Sequence, residues 1–151
     1  MQLPDVNVLV YAFRADAPRH DVCRRWLEQV TAGDGAFAYA ELVLSGFLRI
    51  VTHQRVFRTP TPVEEALVFA EAVRAQPHSV RVAPGPRHWS IFTSLCERAQ
   101  VKGNLVPDAY FAALAIESGS EWVTMDRDFS RFPDLHYWHP DQQTSSSERE
   151  A

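Results

Sequence analysis

The chain has 151 residues, 46% of them hydrophobic and 23% charged, and its formal net charge is −4. This length and composition predict one soluble globular domain with a buried core and exclude two full-sized domains. The acidic balance excludes an overall basic field for nucleic acid, although a nuclease can be acidic where its metal ions neutralise the site.

The chain begins with a predicted strand and two helices. Residues 2–6 have strand character, and the apolar run over 7–13 opens a first helix. Apolar residues from Val22 to Val30 then recur at helical spacing, and Gly33 follows as a stop signal.

The next segment predicts a second strand and two further helices. Residues 36–40 have strand character, and the strongly apolar residues 41–51 predict a buried helix. After a proline-containing loop, Thr61 and Glu64 have capping-box spacing, which predicts the start of a fourth helix.

The last third of the chain predicts three strands and two helices. Residues 80–83 form a strand, and apolar residues from Trp89 to Ala99 recur at helical spacing. Pro107 suits the first turn of a sixth helix. Two short strands, over 122–124 and 135–138, follow it.

This alternation predicts a three-layer α/β fold, with a mostly parallel central sheet of about four to five strands flanked by helices. One domain covers residues 1–140, and the polar, serine-rich residues 141–151 predict a disordered tail. Cys23 and Cys96 lie in helical segments without CxxC spacing, which predicts two free thiols.

The start of the chain does not have the pattern of a signal peptide, because Asp5 interrupts the first apolar run. No stretch is apolar over 18 residues. We therefore expect a cytoplasmic protein that does not enter a membrane.

Four carboxylates, distant in sequence, fall on one predicted edge of the sheet. In a parallel sheet with helical crossovers, the ends of strands and the starts of the helices after them share an edge, where ligands bind. An acid at a helix start also has a local explanation in the helix dipole. Asp5 is the hardest to explain locally, because the end of a strand gains little from a carboxylate. The set comprises Asp5, Glu41, Asp108 and Asp126.

Such a group of acids predicts a cation site. Two carboxylates about 4 Å apart repel by roughly 4 kcal/mol at an effective dielectric constant of 20. A site that holds three or four of them must share protons or bind cations. Hard divalent cations with oxygen ligands, Mg²⁺ or Mn²⁺, fit this chemistry.

Four stretches of the sequence occur in a recognisable order: DVNVLVYAF, AELVLSGFLRIVTH, GNLVPDAYFAALAIESG and WVTMDRDFSRFP. Together they resemble the PIN-domain ribonucleases, and within them the VapC-type toxins of bacterial toxin–antitoxin pairs. The resemblance runs from Met1 to about Pro140, nearly the whole chain.

The resemblance implies a Mg²⁺-dependent endoribonuclease in which Mn²⁺ substitutes for Mg²⁺. Asn7 and Thr124 match polar positions that support the site, and Asp128 matches an additional acid of lower rank. Metal-activated water would attack an RNA phosphodiester. The family's catalytic and metal-binding acids match Asp5, Glu41, Asp108 and Asp126.

The resemblance also implies partners. These are a structured RNA substrate, such as a tRNA or rRNA loop, a second copy of the chain in a homodimer, and a cognate antitoxin that blocks the active-site groove. Arg49, His53 and Arg55 are candidate contacts to RNA phosphates. A solvated helix end that favours cations explains the same three residues equally well.

Two other function classes stay open from the residues alone: a non-catalytic acidic binding module and a phosphoacceptor signalling domain. The second needs paired acids near the first strand and a lysine near the last strand, whereas Asp5 stands alone and Lys102 is misplaced. His136 and His139 do not form a zinc quartet with the distant cysteines. The sequence contains no GxxxxGK motif, which in practice excludes a P-loop NTPase.

Overall fold

The computed structural model describes residues 1–142, and this range contains alternating strands and helices in the predicted order. The strands are β1 (Gln2–Pro4), β2 (Phe37–Tyr39), β3 (Ser79–Arg81), β4 (Glu121–Val123) and β5 (Tyr137–Trp138). The helices are α1 (Val6–Phe13), α2 (His20–Ala32), α3 (Glu41–Val51), α4 (Val63–Arg74), α5 (His88–Ala99) and α6 (Leu105–Ser118), and a 3-10 helix spans Arg127–Arg131.

The paired strands of the described residues are all parallel. β4 lies between β1 and β5, so these strands form a three-stranded sheet. β2 and β3 form a second, two-stranded ladder, and β2 packs beside β1. The predicted parallel α/β fold is confirmed, with the difference that the five strands hydrogen-bond as two sheets, of three and two strands, and not as one.

Helices on both sides of the strands cover a common apolar core. α6 is buried along most of its length, as its run of small apolar residues requires. Burying a large apolar side chain contributes about 1.5–3 kcal/mol, so the core holds the ends of the strands in place. Its fully buried members include Leu3, Leu9, Val43, Phe47, Leu114 and Trp122.

Two local predictions differ from the structure. The start of α4 has no side-chain cap, because Pro62 occupies the N-cap position. The Thr61 hydroxyl instead accepts a hydrogen bond from Arg14 Nη1 at 2.9 Å. Trp89, whose helical spacing is typical of a residue in the core or in a dimer interface, is 67% exposed and so lies outside the core of the single chain.

The described residues include both cysteines and the first two residues of the predicted tail. Cys23 and Cys96 are free thiols, as expected. Asp141, assigned by sequence to the tail, pairs with Arg19 at 2.9 Å. The rest of the predicted tail, residues 143–151, lies outside the described residues. None of the helices in residues 1–142 has the length and apolar character that crossing a bilayer requires.

Candidate active site

Asp5 links the end of β1 to the start of α1. Its backbone N–H donates to the Val123 carbonyl at 2.8 Å, which continues the contact between β1 and β4. Its Oδ1 accepts from the Val6 N–H at 2.6 Å and so caps α1. Its Oδ2 accepts from the Thr124 hydroxyl at 2.7 Å and from the Asn7 amide at 3.2 Å. The carboxylate is therefore held by donors on both oxygens.

The environment of Asp5 disfavours its charged form. The residue is only 6% exposed, and burial is the largest cause that raises its pKa from 3.8 to about 7. The hydrogen bonds from Thr124 and Val6 oppose that rise. The negative charges of Asp108 and Asp126 add to the rise in the pKa of Asp5.

Asp126 follows β4 in a turn that is fastened to Asp5. Thr124 is fully buried, and its hydroxyl accepts from the Asp126 N–H at 3.0 Å while donating to Asp5. Asp126 Oδ1 accepts from the Asp128 N–H at 2.9 Å and caps the 3-10 helix. One hydroxyl thus connects two of the predicted site acids.

Asp108 comes from α6, in whose first turn it lies. It is half-buried, and burial raises its pKa from 3.8 to about 6. The charges of Asp126 and Asp128 raise the pKa further, and Arg131 lowers it. Asp108 is therefore the acid from α6 that faces the turn after β4.

A groove of about 930 Å³ runs past these acids. Asp5, Asp108 and Asp126 line one part of it, and apolar side chains from α1, α3, α5 and α6 form most of its remaining wall. Arg49 is the cationic side chain that lines the groove. Three of the four predicted acids therefore share one cavity.

Glu41 is not brought to this groove. Its carboxylate is exposed and pairs with Arg81 Nε at 2.7 Å. The groove face of α3 is formed by Leu42, Ser45, Gly46 and Arg49. Glu41 lies at the margin of this face, one turn before Ser45, and its carboxylate turns toward Arg81. A position at the edge of the sheet therefore does not fix the direction of a side chain.

Some of the lower-ranked candidate residues also line the groove, and others do not. Asn7 lines the groove, and Arg49 is exposed within it. His53 accepts from the Arg55 N–H at 3.0 Å through Nδ1, and both residues lie outside the groove lining. Asp128 is exposed and acts on Asp108 through its charge.

Sequence reasoning missed Ser45 as a polar residue of the groove. It lies one turn after Glu41, on the face of α3 shared with Leu42 and Arg49. The signal was present in the helical period, since positions 42, 45, 46 and 49 share one face. It was not distinctive, because a serine within an apolar helix carries no charge.

The donor chemistry of the groove fits a hard divalent cation. Three carboxylates, those of Asp5, Asp108 and Asp126, line the groove and present the oxygen ligands that Mg²⁺ and Mn²⁺ prefer. Within residues 1–142, no three acidic, histidine or cysteine side chains are close enough to form a complete metal-ligand group. A cation held there would therefore complete its coordination with water or substrate oxygens, as Mg²⁺ commonly does.

Comparison with known proteins identifies the family. Residues 3–135 match the family model of the PIN domain. Ribonuclease VapC25 of Mycobacterium tuberculosis (strain ATCC 25618 / H37Rv) is 43% identical over 140 residues, which are 93% of this chain and 99% of that protein. Ribonuclease VapC43 of the same strain is 43% identical over 136 residues, which are 90% of this chain and 92% of that protein.

Solved structures share the fold at low identity. VapBC2 from Rickettsia felis, bound to a promoter DNA fragment, matches with a TM-score of 0.67 and 18% identity, over 91% of this chain and 97% of that chain. Mycobacterium tuberculosis VapC20, a toxin that cleaves the sarcin-ricin loop, matches with a TM-score of 0.61 and 18% identity, over 90% and 99%. The chain therefore belongs to the PIN-domain family, among the VapC-type ribonucleases.

Proposed function

We propose that this ribonuclease is a Mg²⁺-dependent endoribonuclease toxin that cleaves phosphodiester bonds in structured RNA. The observation that carries the proposal is the groove lined by Asp5, Asp108 and Asp126. Burial and the charges of Asp108 and Asp126 raise the pKa of Asp5, and burial and the charge of Asp126 raise the pKa of Asp108. These three acids are the proposed metal ligands and catalytic groups. Mn²⁺ would substitute for Mg²⁺, because both take oxygen ligands.

The chain's own residues would prepare the site for the cation. A bound divalent ion lowers the pKa of a water molecule and neutralises charge on the phosphodiester. Thr124 and Asn7 hold the Asp5 carboxylate in one orientation, which limits the entropy lost when a ligand binds. Because Asp5 and Asp108 have raised pKa values, they would release protons as the cation binds.

The groove supplies the contacts expected for RNA on either side of the scissile bond. Arg49 would contact a flanking phosphate, and His53 and Arg55 lie further along the same segment of chain. Apolar and aromatic walls suit unpaired bases of a loop better than a duplex. A tRNA or rRNA loop is therefore the proposed substrate class, in agreement with the loop cleaved by VapC20.

A cognate antitoxin is the proposed inhibitor. Several solved structures with this fold are toxin–antitoxin complexes, VapBC2 among them. Exposed apolar side chains at the groove, including Leu42, Val56 and Val106, would be covered by such a partner. We further propose that the toxin acts in the cytoplasm and forms a homodimer, and that the domain ends near residue 140.

The experiment that tests the proposal is RNA cleavage mapped with and without Mg²⁺. Purified protein is incubated with total RNA and the new 5′ ends are sequenced. We expect discrete loop cleavage that requires Mg²⁺ or Mn²⁺ and is lost in Asp108→Asn, which removes the charge of a proposed metal ligand. Metal-independent cleavage, or equal cleavage by the variant, would contradict the assignment.

A metal titration separates this function from a non-catalytic acidic binding module. The melting temperature of the parent protein should rise with Mn²⁺, and the rise should disappear in Asp5→Asn. The binding module would be favoured if Mn²⁺ left the melting temperature of the parent protein unchanged and the protein cleaved no RNA.

A further inference from the structure

His139 is a buried histidine close to the groove acids but outside the groove. It follows β5 and is only 5% exposed. Its Nδ1 lies 2.6 Å from the carbonyl oxygen of Thr124. A carbonyl can only accept a hydrogen bond, so Nδ1 carries the hydrogen and donates it.

The carbonyl that His139 binds belongs to the peptide unit between Thr124 and Met125. The other end of that peptide unit, the Met125 N–H, donates to Asn7 Oδ1 at 3.2 Å. The Thr124 N–H donates to the Trp138 carbonyl at 3.0 Å. His139 and Asn7 therefore hold one peptide plane from its two edges.

This peptide plane determines how two of the acids are presented. The hydroxyl of Thr124, on one side of it, donates to Asp5 at 2.7 Å. The Asp126 N–H, on the other side, donates back to the same hydroxyl at 3.0 Å. A rotation of the plane would move Asp126 and withdraw the donor from Asp5.

We propose that His139 is a positioning residue for the metal-binding acids, which acts through the Thr124 carbonyl. The inference rests on the proposed function and extends it to a side chain that touches neither metal nor substrate. Hydrogen-bonded supports of this kind typically change metal affinity by about 10–100-fold when they are removed. The ring also packs edge-on against Tyr137, so a test must separate the hydrogen bond from packing.

The test compares His139→Asn with His139→Leu. The Asn side-chain N–H reaches roughly the position of Nδ1, whereas Leu fills the space without a donor. Calorimetric titration with Mn²⁺ alone measures affinity without turnover. We expect His139→Asn to bind Mn²⁺ within about threefold of the parent protein and His139→Leu to bind about 10-fold or more weakly.

A second pair protects the test against misfolding. Gln carries its amide one bond further out, at the position of Nε2, so His139→Gln retains polarity but loses the donor to Thr124. His139→Gln should therefore bind Mn²⁺ more weakly than His139→Asn, as His139→Leu does. His136→Leu, at an exposed site three residues earlier, is the control and should bind Mn²⁺ like the parent.

Failure of the inference differs from failure of the proposed function. Equal Mn²⁺ affinity and equal RNA cleavage for the Asn, Gln and Leu variants would overturn the positioning role while leaving the nuclease assignment intact. A parent protein that neither binds Mn²⁺ nor cleaves RNA would overturn the proposed function itself. A lower melting temperature with unchanged Mn²⁺ affinity would show that His139 contributes only to packing.

Discussion

At the scale of single residues, the Asp5 carboxylate caps a helix and also lies in a buried environment that disfavours its charge. As the cap of α1 it contributes about 1 kcal/mol. Raising its pKa from 3.8 to about 7 corresponds to about 4 kcal/mol against the charged form. Capping therefore does not account for an acid at this depth, because its burial costs more than the cap contributes. A bound cation would offset the difference.

Glu41 differs from the other predicted acids because it is outside the groove. Its ion pair with Arg81 is more than half exposed on both sides, and such pairs contribute about 0–1 kcal/mol. We predict that Glu41→Gln retains the rise in melting temperature with Mn²⁺ and cleaves RNA within about tenfold of the parent protein. Asp108→Asn should lose on the order of 100-fold or more.

The matched control for Glu41→Gln is Glu71→Gln. Glu71 is also an exposed acid paired with an arginine, Arg74, at 2.9 Å, and it lies on α4. Both glutamine variants should behave alike in melting and in cleavage. Loss of the Mn²⁺ effect in Glu41→Gln alone would show that Glu41 turns into the groove when metal binds.

At the scale of secondary-structure elements, α1 connects the acids to the opposite wall of the groove. Asp5 caps its start, and Arg14 caps its end. Arg14 binds Asp16 through two hydrogen bonds and the Thr59 carbonyl at 2.9 Å, and its guanidinium lies 4.0 Å from the Phe57 ring centroid. Phe57 lines the groove, so Arg14 fastens the loop between α3 and α4 that forms part of its wall.

We predict that Arg14→Lys loosens this loop. Lysine keeps the charge but not the planar fork that reaches several acceptors and stacks on Phe57. The free energy of unfolding should fall by about 1–3 kcal/mol, measured by urea denaturation. Arg24→Lys is the control, because its exposed pair with Glu28 contributes about 0.5 kcal/mol or less. Equal effects of the two substitutions would contradict the bracing role of Arg14.

The secondary-structure elements could be predicted from the sequence, whereas the helix caps could be predicted less reliably. Apolar spacing predicted α3 to the residue, because amphipathic faces must be buried. The predicted cap at Thr61 was wrong, since the hydroxyl binds Arg14 from a distant helix. Local propensity could not reveal a competitor that arrives only through tertiary packing.

At the scale of the whole molecule, the groove acids make the stability of the metal-free protein depend on pH. Asp5 and Asp108 have folded pKa values of about 7 and about 6, above their ordinary value of 3.8. Between about pH 4 and 7 the folded state binds more protons than the unfolded state. Stability therefore falls as pH rises through this window.

Asp108→Asn tests this coupling in the absence of metal. The substitution removes one charge and relieves Asp5, so the variant should melt about 2–4 °C above the parent at pH 8, after discounting for the partial exposure of Asp108. At pH 5 the gain should be smaller, because both acids of the parent are largely protonated there. Mn²⁺ should reverse the order at pH 8. A gain that does not depend on pH would refute the coupling.

The sequence by itself determined the class of fold, the order of the elements and the edge at which the acids gather, because apolar periodicity and parallel crossovers fix these features. It also predicted Asp5, Glu41, Asp108 and Asp126 as one group, of which Asp5, Asp108 and Asp126 line the groove. Only the tertiary structure decided which way Glu41 points, since its carboxylate pairs with Arg81, a partner that is distant in sequence. Only the tertiary structure brought His139 to Thr124, because that contact joins strands through packing and leaves no local pattern.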